Sequence, residues 1–116
     1  MKTYYAHPIS LYGSMQEQRD IEALTALGFT VLNPNGAAHD KNYATHGMKY
    51  FEDLVSGCQA LAFRAFSDGS IPAGIVKEIN AAKEHGIPVI ELPSALARRS
   101  LSVAATREVL RECGCR

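Results

Sequence analysis

Short β-favouring runs alternate with longer segments of helical pattern along this chain, and the alternation limits the folds that it can adopt. The β-favouring runs cover residues 3–6, 29–32, 60–63 and 87–92, and each is bounded by glycine, proline or polar residues. Strands that alternate with helices favour a parallel sheet, because each helix returns the chain to the start of the next strand in a right-handed crossover. The sequence therefore predicts the α/β class.

The first segment between strands has the clearest helix signals. Ser14 followed by Glu17 is a capping-box pattern, which opens a helix. Gly28 is the residue expected just beyond the helix end. Between them, residues at helical spacing predict an apolar face that contains Ile21, Leu24 and Leu27.

Further helices are predicted over residues 48–55, 74–85 and 102–111, whereas residues 37–46 are mostly polar and without periodicity. A mobile loop or irregular turn is therefore predicted for 37–46. Pro88 places the last run at a sheet edge or at the start of a strand, because proline cannot donate to a central ladder. The whole pattern predicts a small flavodoxin-like three-layer sandwich with a four-stranded parallel sheet in the order 2-1-3-4.

Composition excludes several classes of function. The 116 residues match one domain, predicted to span 1–116, and contain 12 Lys and Arg against 12 Asp and Glu. This balance favours neither a nucleic-acid polymer nor a membrane as partner. There is no signal-peptide pattern, and Cys58, Cys113 and Cys115 lack disulfide spacing, so a reducing, cytoplasmic location is expected. Neither a metal nor another cofactor is predicted, because no trustworthy metal-ligand spacing occurs.

A ligand site is predicted where the first and third strands diverge at their carboxyl ends, since open α/β sheets bind ligands there. Gly74 would let a backbone or a ligand come close. Glu78 follows one helical turn later and brings a carboxylate to the same region. The other residues predicted to lie at these strand ends are His7, Pro8, Ser10, Asn33, Asn35, Arg64, Asp68, Ser70, Glu91 and Pro93.

Three stretches of the chain carry a family resemblance. Residues 4–10 (YYAHPIS) end the first strand with an aromatic residue, Ala and Pro, and residues 27–34 (LGFTVLNP) form a Leu-Gly strand that ends in Pro. Residues 74–82 (GIVKEINAA), continuing through 86–90 (GIPVI), combine a glycine, a glutamate four positions later and a Pro-Val strand start. Over about residues 3–92, the chain resembles the nucleoside 2-deoxyribosyltransferase-like family.

The resemblance implies that Glu78 attacks the anomeric carbon of a (deoxy)nucleoside or nucleoside 5′-monophosphate and forms a glycosyl-enzyme intermediate, as in retaining glycosidases. Transfer to a second base and hydrolysis by water both remain open. A first-turn position would keep Glu78 ionised by up to about 1 kcal/mol. Members of this family commonly complete their sites from a neighbouring subunit, which implies a homo-oligomer, with residues 37–46 or the C-terminal segment as the contributor.

The chain departs from the family pattern at three positions. His7 stands where glycine is usual, and its imidazole suits a general acid that helps the base depart. Gln59 replaces an aspartate at the start of the third strand, and Pro72 stands where transferases carry aspartate and nucleotide hydrolases serine. Asp68 is the candidate for the acid role. The loss of polar residues of the family pattern at Gln59 and Pro72 leaves an alternative open: a non-catalytic nucleotide-binding or sensing module.

The candidate catalytic residues also have ordinary structural interpretations. Glu78 would otherwise be a solvated helix glutamate, and His7 a hydrogen-bonded residue at a strand end. Asp68, Gly69 and Ser70 would otherwise form a turn, because Asp and Gly favour turns for backbone reasons.

The candidate substrate-binding residues are equally open. Tyr5 is expected either to line the sugar pocket or to turn into the core. Because side chains alternate along a strand, Tyr4 is expected to do the opposite of Tyr5. Arg64 is either a phosphate ligand or a surface charge. Ser10 and Ser70 are candidate phosphate donors, whereas Ser14 is better explained as a helix N-cap.

Overall fold

The structure, a computed structural model, describes residues 1–93, 102–112 and 114. It contains a four-stranded parallel sheet in the order β2-β1-β3-β4, which confirms the predicted strand order. The strands are β1 (Lys2–Ala6), β2 (Thr30–Leu32), β3 (Ala60–Arg64) and β4 (Val89–Leu92). The α-helices are α1 (Met15–Ala26), α2 (Ala37–His46), α3 (Met48–Ser56), α4 (Ala73–Glu84) and α5 (Val103–Glu112), and a 3-10 turn covers Ile9–Leu11.

The two central strands form the centre of the protein. All five residues of β3 are buried, as are four of the five in β1. The short strands β2 and β4 are the edges, and Pro88 lies immediately before β4, as its missing N–H predicts. The carboxyl ends of β1 and β3 lie side by side, because Ala6 pairs with Phe63.

Successive side chains of a strand point to opposite faces, and in β1 this alternation divides the core into two layers. Tyr4 packs with Val55 and Ile79, in the layer covered by α3 and α4. Tyr5 packs with Leu24 of α1 in the layer on the opposite face. The three-layer sandwich predicted from the sequence is therefore confirmed.

Helix α1 begins and ends at the predicted signals. The Ser14 hydroxyl accepts a hydrogen bond from the Glu17 N–H at 3.1 Å, and Gly28 adopts a φ of +96° just beyond the helix. Leu24 is buried, but Leu27 is 75% exposed, so its placement on the apolar face was wrong. Leu27 is the C-cap residue, where the chain already leaves the helix for β2.

Residues 37–46 form helix α2, so the prediction of a loop or irregular turn was wrong. The helix lacks an apolar stripe because it packs chiefly on α3 instead of on the sheet. His39 Nδ1 lies 2.6 Å from the Tyr50 hydroxyl, and the rings of Tyr43 and Phe51 are 5.4 Å apart. Gly47, with φ of +69°, turns the chain from α2 into α3.

The other predicted helices are confirmed, including the last one, which is observed as α5. None of the helices in the described part of the chain combines the length and the apolar character that crossing a bilayer requires. Cys58 is a buried free thiol, and burial raises its pKa. Cys113 and Cys115 lie outside the described residues.

Replacing Thr3 by Val is expected to stabilise the protein. Thr3 is fully buried in β1, and its hydroxyl has no hydrogen-bond partner within residues 1–93, 102–112 and 114. A buried polar group without a partner costs about 1–3 kcal/mol, so the isosteric Thr3→Val should raise the free energy of unfolding by about 1 kcal/mol. Urea denaturation measures this, with Thr30→Val, at the exposed first position of β2, as the control. A loss of stability on Thr3→Val would show that the hydroxyl has a partner.

Candidate active site

A cavity of about 610 Å³ opens at the carboxyl ends of β1 and β3, the position that the strand order predicts for a ligand. Its volume is in the range of small-molecule sites. The sequence-predicted site residues that line it are His7, Pro8, Ser10, Gly74 and Glu78. Its aromatic lining residues are Tyr4, Tyr12, Tyr43, Phe51 and Phe66.

Glu78 lies at the buried end of this cavity. It is the sixth residue of α4, on its second turn, and only 6% of it is exposed. The expected first-turn position was therefore wrong, and a helix dipole acts mainly within the first turn. The Tyr4 hydroxyl donates a hydrogen bond to Glu78 Oε2. Burial raises the pKa of Glu78 to about 7, although the Tyr4 hydrogen bond acts against the rise and the charge of Glu52 adds to it.

Tyr4 and Tyr12 are the two tyrosines in the cavity wall whose pKa values the charge of Glu78 raises. Burial and the charge of Glu78 raise the pKa of Tyr4 far above its usual value, so its hydroxyl keeps its proton. Burial, Glu78 and Asp40 raise the pKa of Tyr12 to about 12. The charges of Glu78 and Asp40, the two carboxylates in the described cavity wall, therefore both influence the Tyr12 phenol.

His7 lines the cavity, but both of its ring nitrogens are engaged. Nδ1 lies 3.1 Å from the carbonyl oxygen of Tyr5, and Nε2 lies 2.7 Å from Glu17 Oε2. The imidazole also stacks on the Tyr5 ring, with centroids 3.9 Å apart. Since a carbonyl oxygen only accepts, Nδ1 carries a proton and donates it. His7 therefore holds the β1 end against α1 and has no free N–H that faces the cavity.

Glu17 completes this buried pair. Burial acts to raise its pKa, but hydrogen bonds from His7, from the Gly13 N–H at 3.0 Å and from the Asn35 amide at 3.2 Å outweigh burial and lower it. Glu17 is thus ionised at neutral pH. The sequence identified Glu17 only as part of a capping box.

Tyr5 and Arg64 lie on the opposite face of the sheet, which corrects their assignment as substrate-binding residues. The Tyr5 hydroxyl donates to Asp20 Oδ2 at 2.6 Å, and Arg64 donates to both oxygens of Asp20 at 2.6 and 2.7 Å. Arg64 also donates to the carbonyl oxygen of Pro93. Burial acts to raise the pKa of Asp20, but the hydrogen bonds from Arg64 and Tyr5 lower it. The cluster joins α1, β1 and β3, and none of its members lines the cavity.

Asp68 and Ser70 form an exposed turn after β3 and are also absent from the cavity wall. Asp68 Oδ1 accepts hydrogen bonds from the Ser70 N–H at 2.9 Å and the Ser70 hydroxyl at 2.6 Å, and Gly69 has φ of +88°. These bonds from Ser70 lower the pKa of Asp68, which disfavours the protonated form that an acid needs. The turn interpretation therefore describes this segment, and the acid role of Asp68 has no support in this geometry.

Asn33 also stays outside the cavity wall, because its side chain accepts the Asn35 N–H at 3.0 Å in a local turn. Gln59 precedes β3 at the amino end of the sheet, where its side chain accepts the Lys2 N–H at 2.7 Å. The Gln59 departure therefore removes no group from the cavity. Pro72, in contrast, caps α4 and lines the cavity without any polar side-chain atom.

Sequence reasoning missed Tyr12 and Asp40 as lining residues. Tyr12 follows the first strand by six positions, close enough for the rule of strand ends to include it. Asp40 was hidden because its segment was predicted to be a loop. Gly74 lines the cavity, and a Cβ there would lie 3.7 Å from the Met48 side chain, an ordinary contact, so the close approach predicted for this glycine stays a prediction.

The described residues contain no group of three or more His, Cys, Asp and Glu side chains that could hold a metal ion. No family model, curated protein or solved structure matches this chain. The resemblance to the nucleoside 2-deoxyribosyltransferase-like family therefore rests on the quoted residues, and the geometry of the cavity is the basis for assigning a function.

Replacing Arg64 by Leu is expected to lower the free energy of unfolding by about 3 kcal/mol or more, because it leaves the buried Asp20 charge without its partner. Urea denaturation measures the loss. Arg19→Leu, the same change at an exposed position of α1, is the matched control and should change stability by less than about 0.5 kcal/mol. Equal effects of the two variants would contradict the structural role of Arg64.

Glu78→Gln is expected to stabilise the protein as pH rises. The folded pKa of about 7 exceeds the ordinary value of 4.5, so the folded state binds the Glu78 proton more tightly than the unfolded chain does. This contribution to stability is complete below the ordinary pKa and is lost as pH rises through 7. An uncharged glutamine avoids the loss.

The stability advantage of Glu78→Gln over the wild type should therefore grow by about 2 kcal/mol between about pH 5 and about pH 8. Chemical denaturation at the two pH values measures this difference. Glu84→Gln, at an exposed position of the same helix, is the control and should show no such growth. An advantage that stays constant with pH would mean that Glu78 is not held neutral by burial.

Proposed function

We propose that this protein cleaves or transfers the N-glycosidic bond of a (deoxy)nucleoside or nucleoside 5′-monophosphate, with Glu78 as the nucleophile. The observation that carries the proposal is the buried carboxylate of Glu78 at the end of an aromatic-lined cavity, where it accepts a hydrogen bond from the Tyr4 hydroxyl. A perturbed pKa at such a position is typical of functional residues. The resemblance of residues 74–82 to the glutamate motif of the nucleoside 2-deoxyribosyltransferase-like family supports the same assignment.

In the first step, an ionised oxygen of Glu78 attacks C1′ of the sugar. The bond between C1′ and the base nitrogen breaks, and its electron pair leaves with the base. In the second step, water or another base attacks C1′ of the glycosyl ester and releases Glu78. Tyr4 holds the carboxylate in place by donating to Oε2, which leaves Oε1 to attack.

The cavity suits a nucleoside in shape and in surface. Its aromatic side chains offer faces for a flat base to stack on, which contributes about 1 kcal/mol beyond area burial for an aromatic pair. Pro8 and Ser10 follow β1 at the same edge, where Ser10 offers a hydroxyl to the sugar. The corresponding biological setting is nucleotide metabolism in the cytoplasm.

A homo-oligomer belongs to the same proposal. The resemblance implies that a neighbouring subunit completes the site. Val103 and Leu110, on the outside of α5, are 70% and 37% exposed and offer apolar surface. Size-exclusion chromatography with light scattering measures the assembly directly.

A nucleotide-binding or sensing module without turnover is the second candidate. This candidate is favoured because two expected polar groups are missing from the described cavity wall. Pro72 has no side-chain donor, and Asp68 faces solvent. The two candidates differ in whether a product forms. Calorimetry that shows nucleotide binding, together with chromatography that shows no released base, would favour the module.

Glu78→Ala is expected to abolish base release from a panel of nucleosides, 2′-deoxynucleosides and their 5′-monophosphates. Loss of a catalytic nucleophile lowers kcat by about 10⁴-fold or more. Tyr4→Phe should cause a smaller loss, since it removes only a hydrogen bond to the carboxylate. The matched control Glu84→Gln should keep full activity.

A 2′-fluoroarabinosyl nucleoside, which slows the second step, should leave a sugar on Glu78 that mass spectrometry of its peptide detects. A wild type that releases no base from any member of the panel contradicts the enzymatic proposal. So does a Glu78→Ala variant that is as active as the wild type.

A further inference from the structure

The charge of the cavity wall constrains the ligand further than its shape does. Among the residues that the structure describes, the lining contains the carboxylates of Glu78 and Asp40 but neither Lys nor Arg. The basic side chain among the described wall residues, the His7 imidazole, is paired with the Glu17 carboxylate, with Nε2 2.7 Å from Oε2. Arg64 is committed to Asp20 on the other face of the sheet. The cavity is therefore negative whenever Glu78 is ionised.

Aromatic rings complete a surface that favours positive charge. The faces of Tyr and Phe attract cations within about 6 Å, and the attraction strengthens where water is excluded. Tyr12 feels the charges of both Glu78 and Asp40. Tyr43, Phe51 and Phe66 line the same cavity. A 5′-phosphate, with about two negative charges, would meet carboxylates here without a cationic partner.

The leaving group of the proposed reaction leads to the same class of substrate. A neutral base needs a proton as its bond to C1′ breaks, and general acids supply it. Asp68 lies outside the cavity wall, Pro72 has no proton to give and both His7 nitrogens are engaged. Tyr12 lines the cavity, but burial and the nearby carboxylates raise its pKa to about 12, which makes its phenol a poor acid at neutral pH. A base that already carries a positive charge becomes neutral when it takes the bonding electron pair, so it needs no acid.

We infer that the substrate is a nucleoside without a 5′-phosphate whose base carries a fixed positive charge, such as an N-alkylated purine or a pyridinium. This inference rests on the proposed function of Glu78. The carboxylate attacks C1′, the C1′–N⁺ bond breaks with its electrons going to nitrogen, and the base leaves neutral. Water then displaces Glu78 from C1′ and loses one proton to solvent, so charge and atoms balance. The bound cation also favours the ionised form of Glu78 that attacks.

The experiment compares 7-methylguanosine with guanosine, which differ by one methyl group and one charge, each as ribo- and 2′-deoxynucleoside. Nicotinamide riboside, a pyridinium of different shape, and 7-methylguanosine 5′-monophosphate complete the set. Each kcat/KM is divided by the uncatalysed rate, which removes the greater intrinsic lability of the charged compounds. We expect the charged nucleosides to exceed guanosine by about 10-fold or more and to exceed the monophosphate.

Asp40→Asn tests the origin of this preference. Removal of one carboxylate should lower the ratio of 7-methylguanosine to guanosine by about 5-fold, while circular dichroism reports an intact fold. Asp53→Asn, at an exposed position of α3, is the matched control and should leave the ratio unchanged.

Equal normalised rates for 7-methylguanosine and guanosine would overturn the inference and leave the proposed function intact. A higher normalised rate for the monophosphate than for 7-methylguanosine would also overturn the inference alone. So would a ratio of 7-methylguanosine to guanosine that Asp40→Asn leaves unchanged. Release of no base from any nucleoside, charged or neutral, would overturn both.

Discussion

The rest of the structure depends on the alternation of side chains along β1. This central strand directs Tyr4 to one face of the sheet and Tyr5 to the other, and both are fully buried. Each hydroxyl donates to a buried carboxylate, Tyr4 to Glu78 and Tyr5 to Asp20. A buried hydroxyl without a partner costs about 1–3 kcal/mol, so a polar group in each helix layer stabilises the tyrosine that the layer covers. One strand thus contacts both buried carboxylates, one in each layer.

The two carboxylates have opposite electrostatics although each accepts a tyrosine hydrogen bond. Asp20 also receives two hydrogen bonds from Arg64, and its pKa is lowered despite burial. Glu78 has no such cation among the described residues, and burial raises its pKa to about 7. A fully paired ion contributes to the fold, whereas an unpaired buried carboxylate is a cost that folding alone does not explain. This contrast makes Glu78 the functional candidate and Asp20 the structural one.

The sequence predicted the strand order and the edge of the sheet where the cavity opens, because both follow from the alternation of strands and helices. It could not predict which strand-end side chains face the cavity, since one position of difference reverses the face. Arg64 was placed at the right strand end, but it points to α1. Helix α2 was missed because its contacts are with another helix, and a polar segment of this kind carries no apolar stripe. Asp40, which lies in α2, was therefore not predicted to line the cavity.

The departures from the family pattern have unequal consequences once their positions are known. Gln59 lies at the amino end of the sheet and leaves the cavity unchanged, whereas Pro72 removes a polar side chain from the wall. His7 brings an imidazole to the wall, but Glu17 and the Tyr5 carbonyl engage both nitrogens. For the proposed reaction, the buried carboxylate of Glu78 lines the cavity as the candidate nucleophile, whereas the acid candidates Asp68 and His7 offer the cavity no free proton. If Glu78 is the nucleophile, the chemistry available to this cavity is set by how readily the base leaves unaided.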